Sequence, residues 1–459
     1  MSNPSFATLQ LPPAQLANLE RLGYLEMTAI QVAALPAALA GRDLIGQAKT
    51  GSGKTAAFAL PLLTRLNPRD FGTQALILCP TRELASQVAD EIRRLARYQP
   101  NIKVVTLCGG QPIGAQIGSL EHGAHVVVGT PGRIKDHLHK GTLSLDRVNT
   151  LVLDEADRML EMGFIGDIEA IIATTPATRQ TLLFSATYPE HIQALSSRFQ
   201  RAPQRVSVES LHSEQRITQR FFMCRTQERL AALATLLAHF QPQAAVVFCN
   251  TKQAVREVCE HLVQSGIHAQ ALHGDMEQRD RDQVLIQFRQ LSCSILVATD
   301  VAARGLDIED LAVVVNYELP RNAEVYVHRI GRTGRAGKEG MAISLLTDAE
   351  LHRLRDIGKF LQRELQCEGI GEVPASRNSL PQPAFVTLCI AGGRKEKVRP
   401  GDILGALTGE AGIAGEAVGK ITVTDYSTYV AITRDEADKA LRQLLNGRIK
   451  GRKFKVRKL

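Results

Sequence analysis

Ten residues, "GQAKTGSGKT" (46–55), carry the densest chemistry in the chain. Gly51 and Gly53 permit a tight turn whose backbone N–H groups point inward at phosphate oxygens. Lys54 supplies a cation for the outer phosphates, and Thr55 offers a hydroxyl to a magnesium ion. Ala48, Lys49, Thr50 and Ser52 complete the loop, with Ala48 in place of the first glycine of the general pattern. The aliphatic "DLIG" precedes it and the helical "AAFALPLLTRL" follows, so a helix N-terminus adds its dipole. A glycine-rich loop alone is weak grounds. With the Gly-Lys-Thr ending between a strand and a helix, it points to a bound nucleotide with Mg2+.

About a hundred residues on stands "LVLDEAD". Asp154 ends an apolar run, where it can hold magnesium through water; Glu155 beside it can orient or deprotonate an attacking water. Two adjacent acids on a surface are ordinarily solvated charge. Here they end a buried-looking strand behind a phosphate loop, and phosphoryl transfer needs both parts. A third part neutralises charge at the transition state. "YVHRIGRTGRAG" (326–337) offers Arg329, Arg332 and Arg335 at three-residue spacing. An arginine-rich loop is more often a solvated surface, but it is also where an arginine finger would come from.

These groups need a scaffold. Short aliphatic runs, "ALILC" (75–79), "HVVVG" (125–129) and "TLVLD" (150–154), alternate with longer amphipathic segments. That pattern predicts an α/β fold, a parallel sheet covered by helices on both faces. The pattern then recurs. "ALILCPTRE" (75–83) is echoed by "AVVFCNTKQ" (245–253), and "VVVGTPGR" (126–133) by "ILVATDVAARG" (295–305). We therefore expect two tandem parallel-sheet domains of similar plan, which resemble the RecA-like fold, at 1–207 and 219–368, with a polar boundary near 205–218. A Gly/Pro/Ser-rich linker is expected at 369–383. The segment 384–459 has a different rhythm, β-α-β-β-α-β, an RRM-like α+β plan shared by many RNA-binding domains. Its first helix should begin at Pro400. Its second should be capped by Thr433 and Glu436 and stop at Gly447. "KFKVRK" alternates as a strand does.

The chain has 459 residues, 44% hydrophobic and 22% charged, which makes it globular and multidomain. No apolar run reaches the length of a membrane span, and the start does not read as a secretory signal. Eight cysteines stand singly without a C-x-x-C pair, which argues against zinc and for reduced thiols in a cytoplasmic setting. The net charge of +8 is unevenly placed. From Ala384 onward there are 15 Lys/Arg against 8 Asp/Glu, a net of +7. The residues before it are near neutral.

In order, these motifs resemble those of the DEAD-box RNA helicases of superfamily 2, over about 20–370. "GYLEMTAIQ" (23–31) resembles the Q motif (4–32), which implies that Gln31 reads the adenine edge and Tyr24 packs on the ring. Met27 and Ala29 stand where prolines are usual. "DEAD" (154–157) and "SAT" (185–187) resemble motifs II and III. "PTREL" (80–84), Gly109-Gly110 and "TPGR" (130–133) resemble the RNA-backbone motifs of the first domain. By that match Pro80, Thr81, Arg82, Gly110, Thr130, Pro131, Gly132 and Arg133 meet RNA. In the second domain "VVFCN" (246–250), Gln278 with Arg281, "ATDVAARGLD" (298–307) and "HRIGRTGR" (328–335) resemble motifs IV to VI. These imply RNA contacts from Asn250, Gln278, Arg281 and Thr299, a ribose contact from Asp307, and γ-phosphate contacts from Arg332 and Arg335. The implied activity is RNA-dependent ATP hydrolysis coupled to local strand separation.

Both first-domain backbone motifs follow strands, at the carboxyl edge where α/β sheets bind ligands. Arg82 and Arg133, among Gly and Thr donors, suit phosphates and 2′-hydroxyls, with no evident base-reading element. A core of this kind needs an address. "NGRIKGRKFKVRKL" (446–459) holds seven cations and no acid. We expect Lys450, Arg452, Lys453 and Lys455 to contact RNA. The terminal domain resembles the RNA-binding domain that one branch of this helicase family carries. That implies recognition of a large-subunit (23S) ribosomal RNA hairpin and a role, as a monomer, on the pre-ribosomal large subunit. Two other readings stay open: an ATP-gated RNA clamp that does not unwind, and a DNA translocase. A generic electrostatic tether would also use these cations.

Overall fold

The computed structural model describes residues 4–48, 51–188, 190–208, 217–303, 311–334, 339–374, 382–409 and 412–459. The chain divides into two compact units, one built on the first 211 residues and one on those that follow.

The first unit is a parallel sheet. Its strands are β1 (Leu44–Gln47), β2 (Ala75–Leu78), β3 (Val104–Leu107), β4 (Val126–Gly129), β5 (Thr150–Asp154), β6 (Gln180–Ser185) and β7 (Gln204–Ser207). They lie in the order β3-β4-β2-β5-β6-β1-β7. Residues 75–78 and 150–154 are buried throughout. This is why they read as continuous aliphatic runs rather than alternating ones: helices cover both faces. Two separate apolar cores confirm it. One contains Ala75, Ile77 and Val152. The other contains Leu76, Leu78, Leu151 and Leu153.

The second unit begins with a sheet of the same plan. Its strands are β8 (Ile217–Met223), β9 (Ala245–Cys249), β10 (Ala269–Leu272), β11 (Ile295–Thr299), β12 (Val313–Asn316), β13 (Gly340–Leu346) and β14 (Cys367–Gly369). Their order is β10-β11-β9-β12-β13-β8-β14. The sequence echoes are therefore positional. β2 and β9 both stand third in their sheets, and β4 and β11 both stand second.

One expectation shifts at the end of this sheet. The Gly/Pro-rich stretch read as a linker from 369 begins as structure. Gly369 pairs with Met223 at the sheet edge, and Val373 is buried in the second core. Composition misses this because an edge strand of three residues leaves no periodic signature. The rest of the expected linker falls partly on 375–381, outside the described residues, as does most of the polar boundary at 209–216.

The same unit ends in a four-stranded antiparallel sheet of β15 (Phe385–Ile390), β16 (Val418–Val423), β17 (Thr428–Thr433) and β18 (Val456–Lys458), in the order β16-β17-β15-β18. Two helices, Pro400–Thr408 and Ala437–Asn446, complete β-α-β-β-α-β. Pro400 opens the first, and the Arg399 backbone N–H donates to Asp402 Oδ2 at 2.9 Å. The expected Thr433/Glu436 cap is not formed. Thr433 is the last residue of β17, and a turn separates it from the helix. Glu436 instead faces Lys439 Nζ at 3.3 Å. Strand pairing claims Thr433 before the helix can. "KFKVRK" pairs only over Val456–Lys458.

Candidate nucleotide and RNA sites

The phosphate loop connects β1 to the helix Lys54–Thr64. Gly51 and Gly53 lie at φ +77° and +90°, the left-handed region where a side chain is strained. A Cβ on Gly53 would stand 2.6 Å from Gln31 Nε2 and 2.8 Å from Thr28 Oγ1. Gln31 is buried, donates to Gly53 O at 3.0 Å and accepts from the Thr28 N–H at 2.8 Å. So Gln31 braces the loop from behind. Tyr24 is held edge-on to Phe6, ring centres 6.0 Å apart, and donates to Glu91 Oε1 at 2.5 Å. Burial, with that bond, pushes its phenol above the ordinary range. Ala48 is buried, and its N–H donates to Ser185 O at 3.0 Å. Ser52 and Thr55 are half-buried. Lys49 and Thr50 lie outside the described residues.

Asp154 ends β5 and Glu155 follows at φ +55°. A non-glycine residue held there is strained, which marks a site where geometry outranks local preference. Lys54 is 6% exposed and Asp154 3%. Among the described residues, neither Lys54 Nζ nor Asp154 Oδ1 has a hydrogen-bond partner. A buried ammonium and a buried carboxylate oxygen left unpaired are costly unless a ligand completes them. A polyphosphate and a divalent cation would do so. Burial pushes the Asp154 carboxyl up to about 6, against the pull of Lys54.

Sequence reasoning passed over two supports of this pair. Arg158 Nη1 donates to Glu155 Oε2 at 2.7 Å, both side chains buried. Their i,i+3 spacing was the available signal. Asp157 Oδ2 accepts from Ala186 N at 3.1 Å, Thr187 N at 3.0 Å and Thr187 Oγ1 at 3.0 Å. Ser185 Oγ donates to Thr187 O at 2.6 Å. The adjacent acids and the loop after β6 are thus one hydrogen-bonded block.

The expected RNA contacts of this unit gather at strand ends. The Thr81 hydroxyl caps the helix Arg82–Leu95 by accepting from the Leu84 N–H, and Thr130 precedes Pro131–His139 without a side-chain cap bond. The Arg82 guanidinium lies over Gly109 and Gly110: a Cβ on Gly110 would meet Nη1 at 1.7 Å. Arg133 donates to Gln111 O from both terminal nitrogens at 3.2 Å. Pro80 and Pro131 are buried and Gly132 is half-buried. Two guanidiniums therefore flank the 109–111 turn.

In the second unit, Arg329 is spent internally. It donates to Asp300 at 2.6 and 2.7 Å, Asn316 Oδ1 at 3.1 Å, Glu318 O at 2.7 Å and Asn250 Oδ1 at 2.8 Å. It is a scaffold residue, not a finger. Asn250 also donates to Leu319 O at 3.0 Å, so both ends of its amide are engaged. Thr299 is buried at the end of β11 and accepts from Ala302 N at 3.4 Å. Arg332 is 6% exposed. Gln278 and Arg281 occupy the first turn of the helix Gln278–Arg289, where Gln278 donates to Asp282 Oδ1 at 2.9 Å. Asp307 and Arg335 lie outside the described residues.

In the C-terminal domain Lys450, Arg452, Lys453 and Lys455 are exposed. Lys450 Nζ donates to Lys397 O at 3.3 Å, placing the terminal turn beside exposed Arg394, Lys395, Lys397 and Arg399. These four were not among the expected contacts. Their run is interrupted by Glu396, and only the fold brings them to the terminal cations.

Comparison with known proteins agrees with this geometry. Residues 28–195 match the DEAD/DEAH box helicase family, 228–337 the helicase conserved C-terminal domain, and 387–458 the DbpA RNA binding domain. The chain is 54% identical over 458 residues to the ATP-dependent RNA helicase DbpA of Escherichia coli, covering 99% of both. It is 39% identical over 474 residues to the Bacillus subtilis protein of the same name, again covering 99% of both. Among solved structures, Saccharomyces cerevisiae Dbp5 bound to RNA and ADP BeF3 superposes with a TM-score of 0.72 at 29% identity, over 80% of this chain and 96% of that one.

Proposed function

The chain belongs to the DEAD-box family of ATP-dependent RNA helicases, and from that premise we propose that it acts in the cytoplasm on large-subunit ribosomal RNA during assembly of that subunit. Its C-terminal domain tethers it to a ribosomal RNA hairpin while the core separates an adjacent duplex. The observation that carries this reading is the pairing of a core whose Arg82 and Arg133 flank a glycine turn, groups suited to phosphate and sugar, with a cation-rich domain of the DbpA RNA-binding type.

ATP and Mg2+ fit the residues present. Lys54 would hold the outer phosphates, Thr55 and Asp154 the metal side, and Gln31 and Tyr24 the base. When bound, the metal supplies charge neutralisation at the phosphates. Glu155, oriented by Arg158, accepts the proton of the attacking water. Arg332 and Arg335 neutralise charge developing on the γ-phosphate. Arg82 and Arg133 hold one strand by its backbone.

The test is the ATPase rate with ribosomal RNA, unrelated RNA and DNA side by side, followed by strand displacement on a duplex beside the preferred hairpin. Strongest stimulation by ribosomal RNA, with displacement, is expected. Equal stimulation by all RNA overturns the address. Stimulated hydrolysis without displacement makes the protein an RNA clamp, and preference for DNA makes it a DNA translocase.

A further inference from the structure

The C-terminal sheet has two faces. Val386, Leu388 and Ile390 of β15, with Val430 and Ile432 of β17, join Ile403, Leu407, Ala440 and Leu444 in the domain's own core. By strand alternation, Thr387, Cys389, Tyr429 and Ala431 point the other way. A free domain would leave them in water. Here they are 0%, 6%, 5% and 1% exposed. Ile286, near the end of the helix Gln278–Arg289, packs with Cys389, Tyr429 and Leu459.

Polar side chains also meet within this contact. Gln290, which ends that helix, is 3% exposed. Its Nε2 donates to Lys420 O at 3.0 Å and Tyr429 O at 3.2 Å, carbonyls of β16 and β17. Its Oε1 accepts from Thr387 Oγ1 at 2.8 Å, and Thr387 Oγ1 lies 2.6 Å from Ser292 Oγ. At the rim, Arg457 donates to Gln283 Oε1 at 2.8 Å. Apolar packing alone is non-directional and tolerates sliding. A buried amide with both ends satisfied does not, because any slip strands a buried donor or acceptor.

We propose that Gln290, with Thr387, is a positioning residue that fixes the orientation of the C-terminal domain on the second helicase domain, so that RNA held by the appendage is presented to Gln278 and Arg281 in one register. The physical link is the helix itself. Its first turn carries Gln278 and Arg281, and the residue that caps its C-terminus seats the sheet, so the two ends move as one body. This inference rests on the tethering role proposed above and adds geometry to it. A rigid mount sets a defined spacing between the hairpin and the strand the core grips; a loose one lowers the effective concentration of that strand.

The test uses the full chain with Gln290→Met, which keeps length and volume but loses the polar pairs, and separately Thr387→Val. Nitroxide labels at exposed positions 260 and 442 report the distance between the two domains. RNA substrates join the preferred ribosomal hairpin to a short duplex through spacers of increasing length. The wild-type chain should give one narrow distance distribution and a sharp optimum in spacer length. Both variants should broaden the distribution and flatten the optimum, with the peak unwinding rate falling about tenfold, as expected for a lost effective concentration. Hairpin affinity and ATPase stimulation by a detached single strand should be unchanged. Narrow distributions in both variants, or broad ones with the optimum intact, overturn the proposal. Loss of hairpin affinity in Gln290→Met also overturns it, since Gln290 would then serve binding. A wild-type chain without hairpin preference sinks the tethering role instead, while the distance distributions still decide what Gln290 holds.

Discussion

Asp157 holds Thr187 twice, through the backbone N–H at 3.0 Å and the hydroxyl at 3.0 Å, and takes the neighbouring Ala186 N–H with the same oxygen at 3.1 Å. One buried carboxylate oxygen thus ties the loop after β6 to the acidic pair at the end of β5. The block is continuous with the phosphate loop, because the carbonyl of Ser185 accepts the Ala48 N–H.

Removing that oxygen leaves two backbone donors and a hydroxyl without their acceptor. Asp157→Ala should cost about 2–4 kcal/mol, below the ~1–3 kcal/mol that each of three fully buried donors would lose, because Ala186 and Thr187 are half-buried and water can reach them. Thr187→Val, which deletes only the hydroxyl, should cost about 1 kcal/mol. Thermal unfolding of the two variants measures the difference. Equal losses would show that the loop is held by something other than Asp157.

Glu155 and Arg158 make a separate prediction. Glu155→Gln keeps shape and nucleotide contacts but cannot take a proton, so hydrolysis should fall by roughly two to four orders of magnitude, the usual range for a general base. Nucleotide affinity should stay within a few-fold of wild type. Arg158→Met should lower turnover more modestly, about tenfold, with affinity again preserved. Near-normal turnover in Glu155→Gln would remove it from the water-activating role.

Much of this was legible in the sequence, and the reason is physical. Aliphatic runs such as 75–78 and 150–154 are read easily because a doubly covered strand has no polar face to confuse the period. The glycine-rich loop is legible because glycine adopts its positive-φ backbone angles without strain. The failures have causes too. Val373 is buried four residues past a three-residue edge strand, in a stretch of linker-like composition. Thr433 carried a helix-cap signature but was claimed by strand pairing first. Asn250 read as an RNA contact and Arg329 as one of three arginines in a candidate finger loop, and their mutual bond exists only after β9 and the helix Ala323–Ile330 are packed together. Gln290 gives no sequence signal at all. A glutamine at a helix end is ordinarily solvated, and only a sheet from 130 residues later buries it.

Gly110 connects backbone freedom to RNA binding. It lies at φ +74°, and the Arg82 guanidinium occupies the space a side chain would need. Gly110→Ala should therefore dislodge Arg82. RNA affinity should drop about tenfold, comparable to Arg82→Ala, because each charge-assisted phosphate contact contributes on the order of 1.5 kcal/mol. Affinity for nucleotide alone should not change. RNA titrations of both single variants and the double variant check this: if Gly110 acts through Arg82, the double variant is no weaker than either single one.

Lys450, Arg452, Lys453 and Lys455 are exposed and make a salt-dependence prediction. If all four meet duplex phosphate, replacing them with Gln should reduce the slope of log affinity against log salt by about 3 to 4, at ~0.9 per phosphate. An unchanged slope would mean that these cations face solvent and that the address lies with Arg394, Lys395, Lys397 and Arg399.

Asp154 carries a pH prediction with a definite sign. Burial raises its folded-state value to about 6, above the ordinary 3.8. For an acid shifted upward, the folded state binds more protons than the unfolded one between those two values, so stability falls as pH rises through them. The ionised form is penalised above about 6, and the penalty vanishes below about 4. The two-unit gap corresponds to about 3 kcal/mol at most. Asp154→Asn removes the penalty, since an amide never ionises. The ligand-free variant should unfold several degrees above wild type at pH 7.5, and the advantage should shrink to near zero at pH 4. Differential scanning calorimetry at the two pH values measures it. The gain should come with a loss of ATP hydrolysis, because the orphaned oxygen that destabilises the empty protein is the one set aside for the metal. A variant no more stable than wild type at pH 7.5 would mean that Lys54 already compensates the buried charge, and that no stability is held in reserve for the ligand.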